Sequence, residues 1–241
     1  MKEPRKKGVL YLIPTVIAPD TESQTLPADL VGLCQKIDSY LVENIRTARR
    51  CLSAMKIGRP IEEIDFKELS KKTSDREIEE LMQPLLKGKD VGVMSEAGCP
   101  GIADPGARAV AYAHKHGIRV SPLVGPSSIF LALMGSGFSG QSFAFNGYLP
   151  IDKKEKQQAI KKLEDKFLKT GETQIFMETP YRNNQLLKDL IQSCKKNTLL
   201  CVAKNITAQE EYLRTLTIAE WAKEKLDLHK VPCIFLIGST Y

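Results

Sequence analysis

The chain has 241 residues, of which 42% are hydrophobic and 27% are charged, and its formal net charge at pH 7 is +6. This length accommodates one large domain or two of ordinary size, and the apolar fraction is sufficient for a buried core. The longest uninterrupted apolar runs are too short to cross a bilayer, so the sequence predicts no membrane-spanning helix and no membrane partner.

Six cysteines are scattered along the chain without a CxxC pair. In a chain of this length, that spacing is typical of reduced, buried thiols rather than of a disulfide framework or a zinc site. The N-terminal residues contain no apolar stretch long enough for a secretory signal peptide. We therefore expect a cytoplasmic protein, and the three histidines, His114, His116 and His229, do not suggest a metal site.

Strands and helices alternate through the first half of the chain. Short runs of apolar, often β-branched residues predict strands, and apolar residues at helical spacing predict helices. In chain order, the predicted elements are strand 9–13, helix 26–35, strand 39–42, helix 46–56, helix 78–86 after a capping box from Ser74 to Glu77, strand 91–94, helix 107–116 and strand 118–123. Because strands separated by helices cannot pair as hairpins, this half is predicted to form a mostly parallel sheet.

A domain boundary is predicted at the Val124-Gly125-Pro126 turn, which gives domains at 1–123 and 124–241. The predicted elements after it are helix 127–134, strand 142–149, helix 154–168, strand 173–177, helix 181–193, strands 199–203 and 211–216, helix 218–225 and strand 233–237. Two of these strands follow one another without a helix between them, which indicates a mixed sheet. The predicted fold class is therefore two α/β domains, the first mostly parallel and the second mixed.

The most informative segment is residues 95–106, SEAGCPGIADPG, between a predicted strand and a predicted helix. A loop rich in glycine and proline at the carboxyl end of a parallel strand is a common position for ligands in α/β proteins. From spacing alone, an ordinary strand–helix turn is the alternative. A second glycine-rich segment, residues 135–140, fits GxGxxG, but it follows a predicted helix and precedes a strand, which is the reverse of the order that a dinucleotide site requires.

Residues 95–106 resemble the SDAGTPxISDPG signature of the ribosomal-RNA ribose methyltransferases, which are related to the tetrapyrrole methylases. Further segments match the same family in order and spacing: LYLIPT at 10–15, LVGPSS at 123–128, FAFNGYLP at 143–150 and IFMETPYR at 175–182. The resemblance extends from about residue 8 to residue 238.

This resemblance implies two α/β domains of the tetrapyrrole methylase type, a homodimer, and S-adenosylmethionine bound in the cleft between the domains, with S-adenosylhomocysteine as product. It implies cofactor contacts at Pro14, Thr15, Gly98, Cys99, Pro100, Ile102, Ser127, Ser128, Met177, Ala203 and Pro232. Small residues at such positions allow the close backbone approach that the cofactor needs. Because the sulfonium already carries an activated methyl group, the protein has to align an acceptor and exclude water.

The candidates for acceptor chemistry are Glu43, Arg46, Glu178, Arg182 and Lys204. A base or a cation near a ribose hydroxyl would favour its attack, and an arginine would hold the adjacent phosphate. The alternative for Glu178 and Arg182 is an i, i+4 pair on the surface of a helix start, and for Glu43 and Arg46 an ion pair at a strand end. The role of Lys204 is left open.

Basic residues cluster in two places. Lys2, Arg5, Lys6 and Lys7 lie at the N-terminus, and residues 153–169 contain seven lysines against three acids. Either cluster could contact the phosphates of an RNA. The alternative is an unstructured tail and the solvated face of a helix.

Among the departures from the family's pattern, Asn44 and Asn205 stand where the family has acidic residues. The sequence favours an S-adenosylmethionine-dependent methyltransferase that acts on a ribose 2'-hydroxyl in small-subunit ribosomal RNA. Two alternatives remain open. One is methylation of a tetrapyrrole-like or other small molecule, and the other is a cofactor-binding protein that has lost turnover.

Overall fold

The computed structural model of the chain describes residues 6–239. Lys2 and Arg5 of the N-terminal basic cluster lie outside the described residues. The chain divides into two compact units, with the division between Ser127 and Ser128. The sequence places the domain boundary four residues earlier, after residue 123, and that boundary stays a prediction. No helix among the described residues is long and apolar enough to cross a membrane.

The first unit is built on a five-stranded sheet in which every pairing is parallel. Its strands are β1 (Val9–Leu12), β2 (Ser39–Val42), β3 (Asp65–Glu68), β4 (Val91–Met94) and β5 (Arg119–Pro122), in the order β3-β2-β4-β1-β5. The parallel arrangement predicted from the alternation of strands and helices is confirmed.

Helices cover both faces of this sheet. They are α1 (Glu22–Thr25), α2 (Leu30–Cys34), α3 (Ile45–Ala54), α4 (Asp75–Leu81), α5 (Gln83–Leu86) and α6 (Gly106–Lys115), with a short 3-10 turn at Ile61–Glu63. Alternate residues of β2 enter different hydrophobic clusters, since Tyr40 and Val42 pack on one face while Leu41 packs on the other. This explains why β2 and β4 are buried along their whole length, as expected for a parallel sheet covered on both sides.

The second unit contains a five-stranded mixed sheet, as predicted. Its strands are β6 (Phe143–Tyr148), β7 (Thr173–Met177), β8 (Leu199–Lys204), β9 (Tyr212–Thr217) and β10 (Cys233–Gly238), in the order β6-β7-β10-β8-β9. Only the β6–β7 pairing is parallel, and β8 and β9 are neighbours in both sequence and space. The helices of this unit are α7 (Ser128–Ser136), α8 (Lys153–Thr170), α9 (Asn183–Ser193) and α10 (Ile218–Trp221).

The structure differs from the sequence prediction where proline or polar residues interrupt the pattern. The helix expected at 26–35 is replaced by α1 and α2, with Pro27 between them. The helix expected at 78–86 is divided at Met82, because Pro84 in the first turn of α5 cannot donate a backbone hydrogen bond to the preceding turn. Strand β3 was not predicted, since its sequence, DFKE, lacks the apolar run of a buried strand.

Candidate functional site

The first candidate site lies at the carboxyl ends of the parallel strands. After β2 the chain continues to β3 on one side of the sheet, whereas after β4 it continues to β5 on the other side. The carboxyl ends of β2 and β4, which are neighbours, therefore form a topological switch point, where α/β sheets hold ligands. The loop of residues 95–106 begins at this point, as its position after β4 in the sequence predicts.

Three of the segments predicted to contact the cofactor meet around Gly98. The backbone amide of Thr15 donates to the carbonyl oxygen of Gly98 at 2.9 Å, and the Cys99 thiol donates to the carbonyl oxygen of Pro126 at 3.3 Å. Gly98 has a φ of +75°, and a Cβ placed on it would lie 3.1 Å from the Pro126 carbonyl oxygen. A side chain at Gly98 would therefore strain the backbone as well as fill the space between the two loops.

Asp104 holds the rest of the 95–106 loop in shape. One of its carboxylate oxygens accepts from the Gly101 amide at 2.7 Å and the other from the Gly106 amide at 2.6 Å. These bonds connect the loop to Gly106, the first residue of α6. The sequence analysis did not single out Asp104, although its place before Pro-Gly is typical of a turn-forming aspartate.

The accessibility of the predicted cofactor residues in the first unit varies. Pro14, Thr15, Gly98 and Pro100 are buried, Cys99 and Ser127 are partly buried, and Ile102 is exposed. A cavity of about 740 Å³ lies between the 15–20 loop and α3, and Thr15 is the only one of these residues that lines it. The predicted cofactor segments are thus adjacent in the first unit, but they do not all line one cavity of it.

Glu43 joins the loops after β2 and β4. Its carboxylate accepts a hydrogen bond from the Glu96 amide at 3.1 Å. Burial raises the pKa of the Glu43 carboxyl; the hydrogen bond from the Glu96 amide opposes this rise, and the nearby carboxylates of Asp104 and Glu96 add to it. Within the part of the chain that the structure describes, no salt bridge joins Glu43 to Arg46, so the strand-end ion pair is not formed.

Arg46 lies on the exposed face of α3. The helix begins after Asn44, whose side chain accepts a hydrogen bond from the Thr47 amide at 3.1 Å. Asn and Asp are about equally good in this capping position, so the change from acid to amide at Asn44 leaves the helix start intact. Arg46 also lines a second cavity, of about 660 Å³, together with Arg49, Arg50 and Glu68.

In the second unit, Glu178 and Arg182 form an ion pair at the carboxyl end of β7. The carboxylate of Glu178 accepts from the Arg182 guanidinium at 2.6 Å and from the Thr179 amide at 2.7 Å. This is the expected i, i+4 pair, but it is not a surface pair, because the Glu178 side chain has no solvent exposure while that of Arg182 is 35% exposed. The hydrogen bond to Glu178 raises the pKa of the Arg182 guanidinium.

A buried lysine from the basic helix completes this charge network. Lys156 Nζ lies 3.6 Å from a carboxylate oxygen of Asp189 and 4.0 Å from one of Glu178. The six other lysines of residues 153–169 are exposed, as a solvated helix face predicts, whereas Lys156 is buried. Four side chains therefore place two positive and two negative charges around the carboxyl end of β7.

The remaining predicted cofactor residues of this unit, apart from Ser128 in the first turn of α7, flank the start of β10. Met177 of β7 and Ala203 of β8 both pair with Ile234 of β10, from opposite sides. Pro232 precedes β10, and its carbonyl oxygen accepts from the Asn205 amide at 3.1 Å. The structure thus brings Met177, Ala203 and Pro232 together at one end of the three central strands, β7, β10 and β8.

The loop after β8 contains two residues with left-handed backbones. Asn205 has a φ of +50° and Thr207 a φ of +70°. Asparagine tolerates this conformation better than most residues, which gives Asn205 a structural reason of its own, whereas a β-branched residue there is strained. The Thr207 hydroxyl is buried without a hydrogen-bond partner. Strain and an unpaired buried hydroxyl together suggest a ligand-binding position that the sequence analysis missed.

Lys204 contacts an aromatic ring rather than a carboxylate. Its Nζ lies 5.5 Å from the centroid of the Tyr212 ring, within the range of a cation–π interaction. No group of three or more His, Cys, Asp or Glu side chains in residues 6–239 is arranged to hold a metal ion.

Comparison with known proteins identifies a family and named relatives. Residues 28–222 match the family model described as Tetrapyrrole (Corrin/Porphyrin) Methylases. The chain is 33% identical over 221 residues to the Ribosomal RNA small subunit methyltransferase I of Halalkalibacterium halodurans, covering 90% of this chain and 72% of that protein. The protein of the same name from Buchnera aphidicola subsp. Schizaphis graminum is 31% identical over 240 residues, covering 98% of this chain and 80% of the relative.

The fold is similar to a solved structure as well. The crystal structure of the methyltransferase CobJ superposes with a TM-score of 0.63 and covers 97% of this chain and 94% of its own. The two sequences are 15% identical, so the likeness is one of fold.

Proposed function

We propose, from the premise that this chain belongs to the tetrapyrrole (corrin/porphyrin) methylase family and is a methyltransferase, that it methylates a ribose 2'-hydroxyl of small-subunit ribosomal RNA. The observation that carries the proposal is the 31–33% identity to proteins named Ribosomal RNA small subunit methyltransferase I, which extends over 90% or more of this chain. The net charge of +6 is compatible with a polyanionic acceptor.

The methyl donor we propose is S-adenosylmethionine, which supplies an activated methyl group on a sulfonium when bound. Features of the described residues fit such a group. Gly98 brings the Pro126 carbonyl close to the 95–106 loop, and the partly buried Cys99 thiol lies on the same loop. In the second unit, the buried Thr207 hydroxyl lacks a protein partner and is free to bond a polar ligand atom.

The residues that we propose for acceptor binding are Arg46 and Arg182, since both present guanidinium groups to solvent. Arginine binds phosphate through two parallel hydrogen bonds. Glu178 is buried, so we infer that it acts through Arg182 by fixing the orientation of the guanidinium. We propose Glu43 as the general base, because burial raises the pKa of its carboxyl and so makes the carboxylate a stronger base.

We also propose a cytoplasmic homodimer. Six free cysteines accord with a reducing compartment. Exposed apolar side chains such as Phe130 and Met134 offer surface for an interface between copies. Light scattering should give about twice the 26.9 kDa mass of the chain; the mass of a single chain at tens of micromolar protein would contradict the dimer.

The proposed reaction is tested by incubating the purified protein with tritiated S-adenosylmethionine and one of two acceptor classes. Small-subunit ribosomal RNA, naked or in the assembled subunit, should incorporate label, and a precorrin-type tetrapyrrole should not. RNA binding should weaken steeply as salt increases, because bound counterions are released from the phosphates. Label in the tetrapyrrole alone would favour the small-molecule alternative, and cofactor binding without transfer to either acceptor would favour loss of turnover.

A further inference from the structure

Two aromatic rings stand exposed beside the Glu178–Arg182 pair. Tyr181 is 70% exposed, although the large side chains of the chain are mostly buried. Its ring contacts the exposed ring of His229 edge to face, with centroids 6.3 Å apart. Nearby Tyr148, at the end of β6, is 56% exposed and close enough to Arg182 to contribute to the raised pKa of the guanidinium.

Hydrogen bonds join the two segments that carry the rings. The Lys230 amide donates to the carbonyl oxygen of Pro180 at 3.0 Å, and the Asn183 side chain donates to the carbonyl oxygen of Val231 at 2.6 Å. Asn184 pairs twice with the 227–231 segment, donating to the Asp227 carboxylate at 2.7 Å and accepting from the Leu228 amide at 2.8 Å.

The limited freedom of the Tyr181 ring favours binding. A ring that is exposed but fixed in position loses little conformational freedom when a partner stacks on it. The joined segments and the contact with His229 limit the freedom of the Tyr181 ring, which remains exposed for contact with a planar ligand.

The charge beside the rings restricts the type of partner. Arg182 follows Tyr181 directly in the chain, and buried Glu178 fixes one of its guanidinium nitrogens while 35% of the side chain remains exposed. An exposed aromatic ring next to a fixed cation matches a nucleotide, which carries a planar base and an anionic phosphate. Proteins recognise unpaired RNA by stacking its bases on aromatic side chains and by binding its phosphates with arginine.

We propose that the exposed Tyr181 ring, which His229 contacts edge to face, forms a stacking platform for an unpaired RNA base, next to a phosphate bound by Arg182. This inference rests on the proposed function, because it takes the acceptor to be RNA. It adds that the acceptor strand is single-stranded where it contacts the second unit, since a base inside a duplex cannot expose its face to the Tyr181 ring.

Binding of a fluorescently labelled single-stranded RNA 12-mer from the small-subunit RNA, measured by anisotropy, tests the platform. Tyr181→Ala should weaken binding by about fivefold to a hundredfold, the range found when one stacking residue is removed. Tyr181→Phe keeps the ring and should bind within about twofold of the unsubstituted protein. An RNA hairpin in which the same nucleotides are base-paired should bind the three proteins with similar affinity.

Tyr112→Ala is the matched control, because the Tyr112 ring also contacts a histidine ring, that of His116, with centroids 3.9 Å apart, but lies in α6 of the first unit. It should leave RNA binding unchanged. Photo-crosslinking with 4-thiouridine in the 12-mer should attach the RNA to the peptide that contains Tyr181 in the unsubstituted protein.

The results of these experiments distinguish failure of the stacking platform from failure of the proposed methyltransferase function. If Tyr181→Ala binds the 12-mer and methylates RNA as well as the unsubstituted protein does, the platform is wrong, but the proposed methyltransferase function stands. Equal losses in Tyr181→Ala and Tyr112→Ala would also overturn the platform. An unsubstituted protein that neither binds nor methylates RNA, but binds a tetrapyrrole through Tyr181, would overturn the proposed function and the platform's assignment to RNA together.

Discussion

The guanidinium of Arg182 donates a hydrogen bond of 2.6 Å to Glu178, a carboxylate with no solvent exposure, while more than a third of the arginine side chain remains accessible. One end of the pair is thus embedded in the second unit and the other faces solvent. A salt bridge between two exposed residues would cost entropy to hold in one geometry. Here the buried carboxylate provides a fixed anchor, which suits Arg182 to binding an anionic group of the acceptor.

Replacement of Arg182 should separate acceptor binding from cofactor binding. Arg182→Ala should reduce methyl transfer to RNA by about tenfold or more, since a hydrogen bond to a charged group contributes about 1.5–3 kcal/mol. The affinity for S-adenosylhomocysteine, measured by calorimetry, should stay within about threefold. Arg182→Lys keeps the charge but not the paired donors, so its activity should be intermediate. Full transfer by Arg182→Ala would remove this residue from the acceptor site.

Lys156 should be important for stability, unlike the other lysines of α8. Lys156→Met removes the cation that pairs with the buried carboxylate of Asp189 and one of the two cations beside Glu178. Breaking such a buried pair costs about 3–5 kcal/mol, which urea unfolding would measure. The control is Lys161→Met, an exposed position on the same helix, which should change the free energy of unfolding by less than about 0.5 kcal/mol.

The difference between the two variants gives an internal check, because both remove one lysine charge from α8 and only Lys156 is buried. Equal stability of Lys156→Met and Lys161→Met at pH 8 would mean that the buried network is not stabilised by its charges.

Glu43→Gln should increase stability and decrease activity. Burial raises the pKa of the Glu43 carboxyl, so the folded protein binds the proton more tightly than the unfolded chain does. The contribution of this group to stability is therefore present at acidic pH and is lost as the pH rises through the folded-state pKa.

Glutamine removes the charge and retains an oxygen for the Glu96 amide. The melting temperature of Glu43→Gln should exceed that of the unsubstituted protein at pH 8, and the difference should disappear near pH 4. If Glu43 is the base, the same variant should transfer methyl groups more slowly at every pH. A variant that is more stable and fully active would assign Glu43 a structural role only.

Cys99 should be the one described cysteine that reacts in the folded protein. Burial raises the pKa of Cys34, Cys51 and Cys201 to about 11 and of Cys194 and Cys233 to about 12, so these buried thiols are protonated at pH 8. Cys99 is only partly buried. Iodoacetamide at pH 8 followed by peptide mass spectrometry should show slow alkylation of Cys99.

Saturating S-adenosylhomocysteine should protect Cys99 if the 95–106 loop contacts the cofactor. The rate should fall in proportion to the free fraction of the protein, which is about one hundredth at a ligand concentration a hundred times the Kd. Unchanged alkylation under saturation would move the cofactor away from this loop. A substitution at Gly98 would be a poorer test, because the positive φ of this residue would strain the loop regardless of any ligand.

Strands and caps were predictable where the local sequence determines them. Strands β2 and β4 occupy the predicted residues, since their runs of apolar residues suit a parallel sheet covered on both faces. The capping box at Ser74 and Glu77 is present with both hydrogen bonds. In contrast, edge strand β3 is polar and partly exposed, so no hydrophobic pattern marks it.

The buried charge network was not predictable for a different reason. Lys156 lies 22 residues from Glu178 and 33 from Asp189 in the sequence, within a helix whose other lysines are solvated. Its burial depends on how α8 packs on β7 and α9, which is tertiary information. For Asn44 and Asn205, which stand where the family has acidic residues, local structure is a sufficient explanation. Asn44 caps α3, and Asn205 has a left-handed backbone that asparagine tolerates.

The most direct test of the account is the chemical identity of the product. Small-subunit ribosomal RNA lacking 2'-O-methyl groups is incubated with the protein and S-adenosylmethionine, digested to nucleosides and analysed by mass spectrometry. The account predicts one 2'-O-methylated nucleoside, whose position resists alkaline cleavage in the intact RNA, with yield reduced at least about tenfold in Arg182→Ala. A methyl group found only on a base, or RNA left unmodified while the protein binds the cofactor, would contradict it.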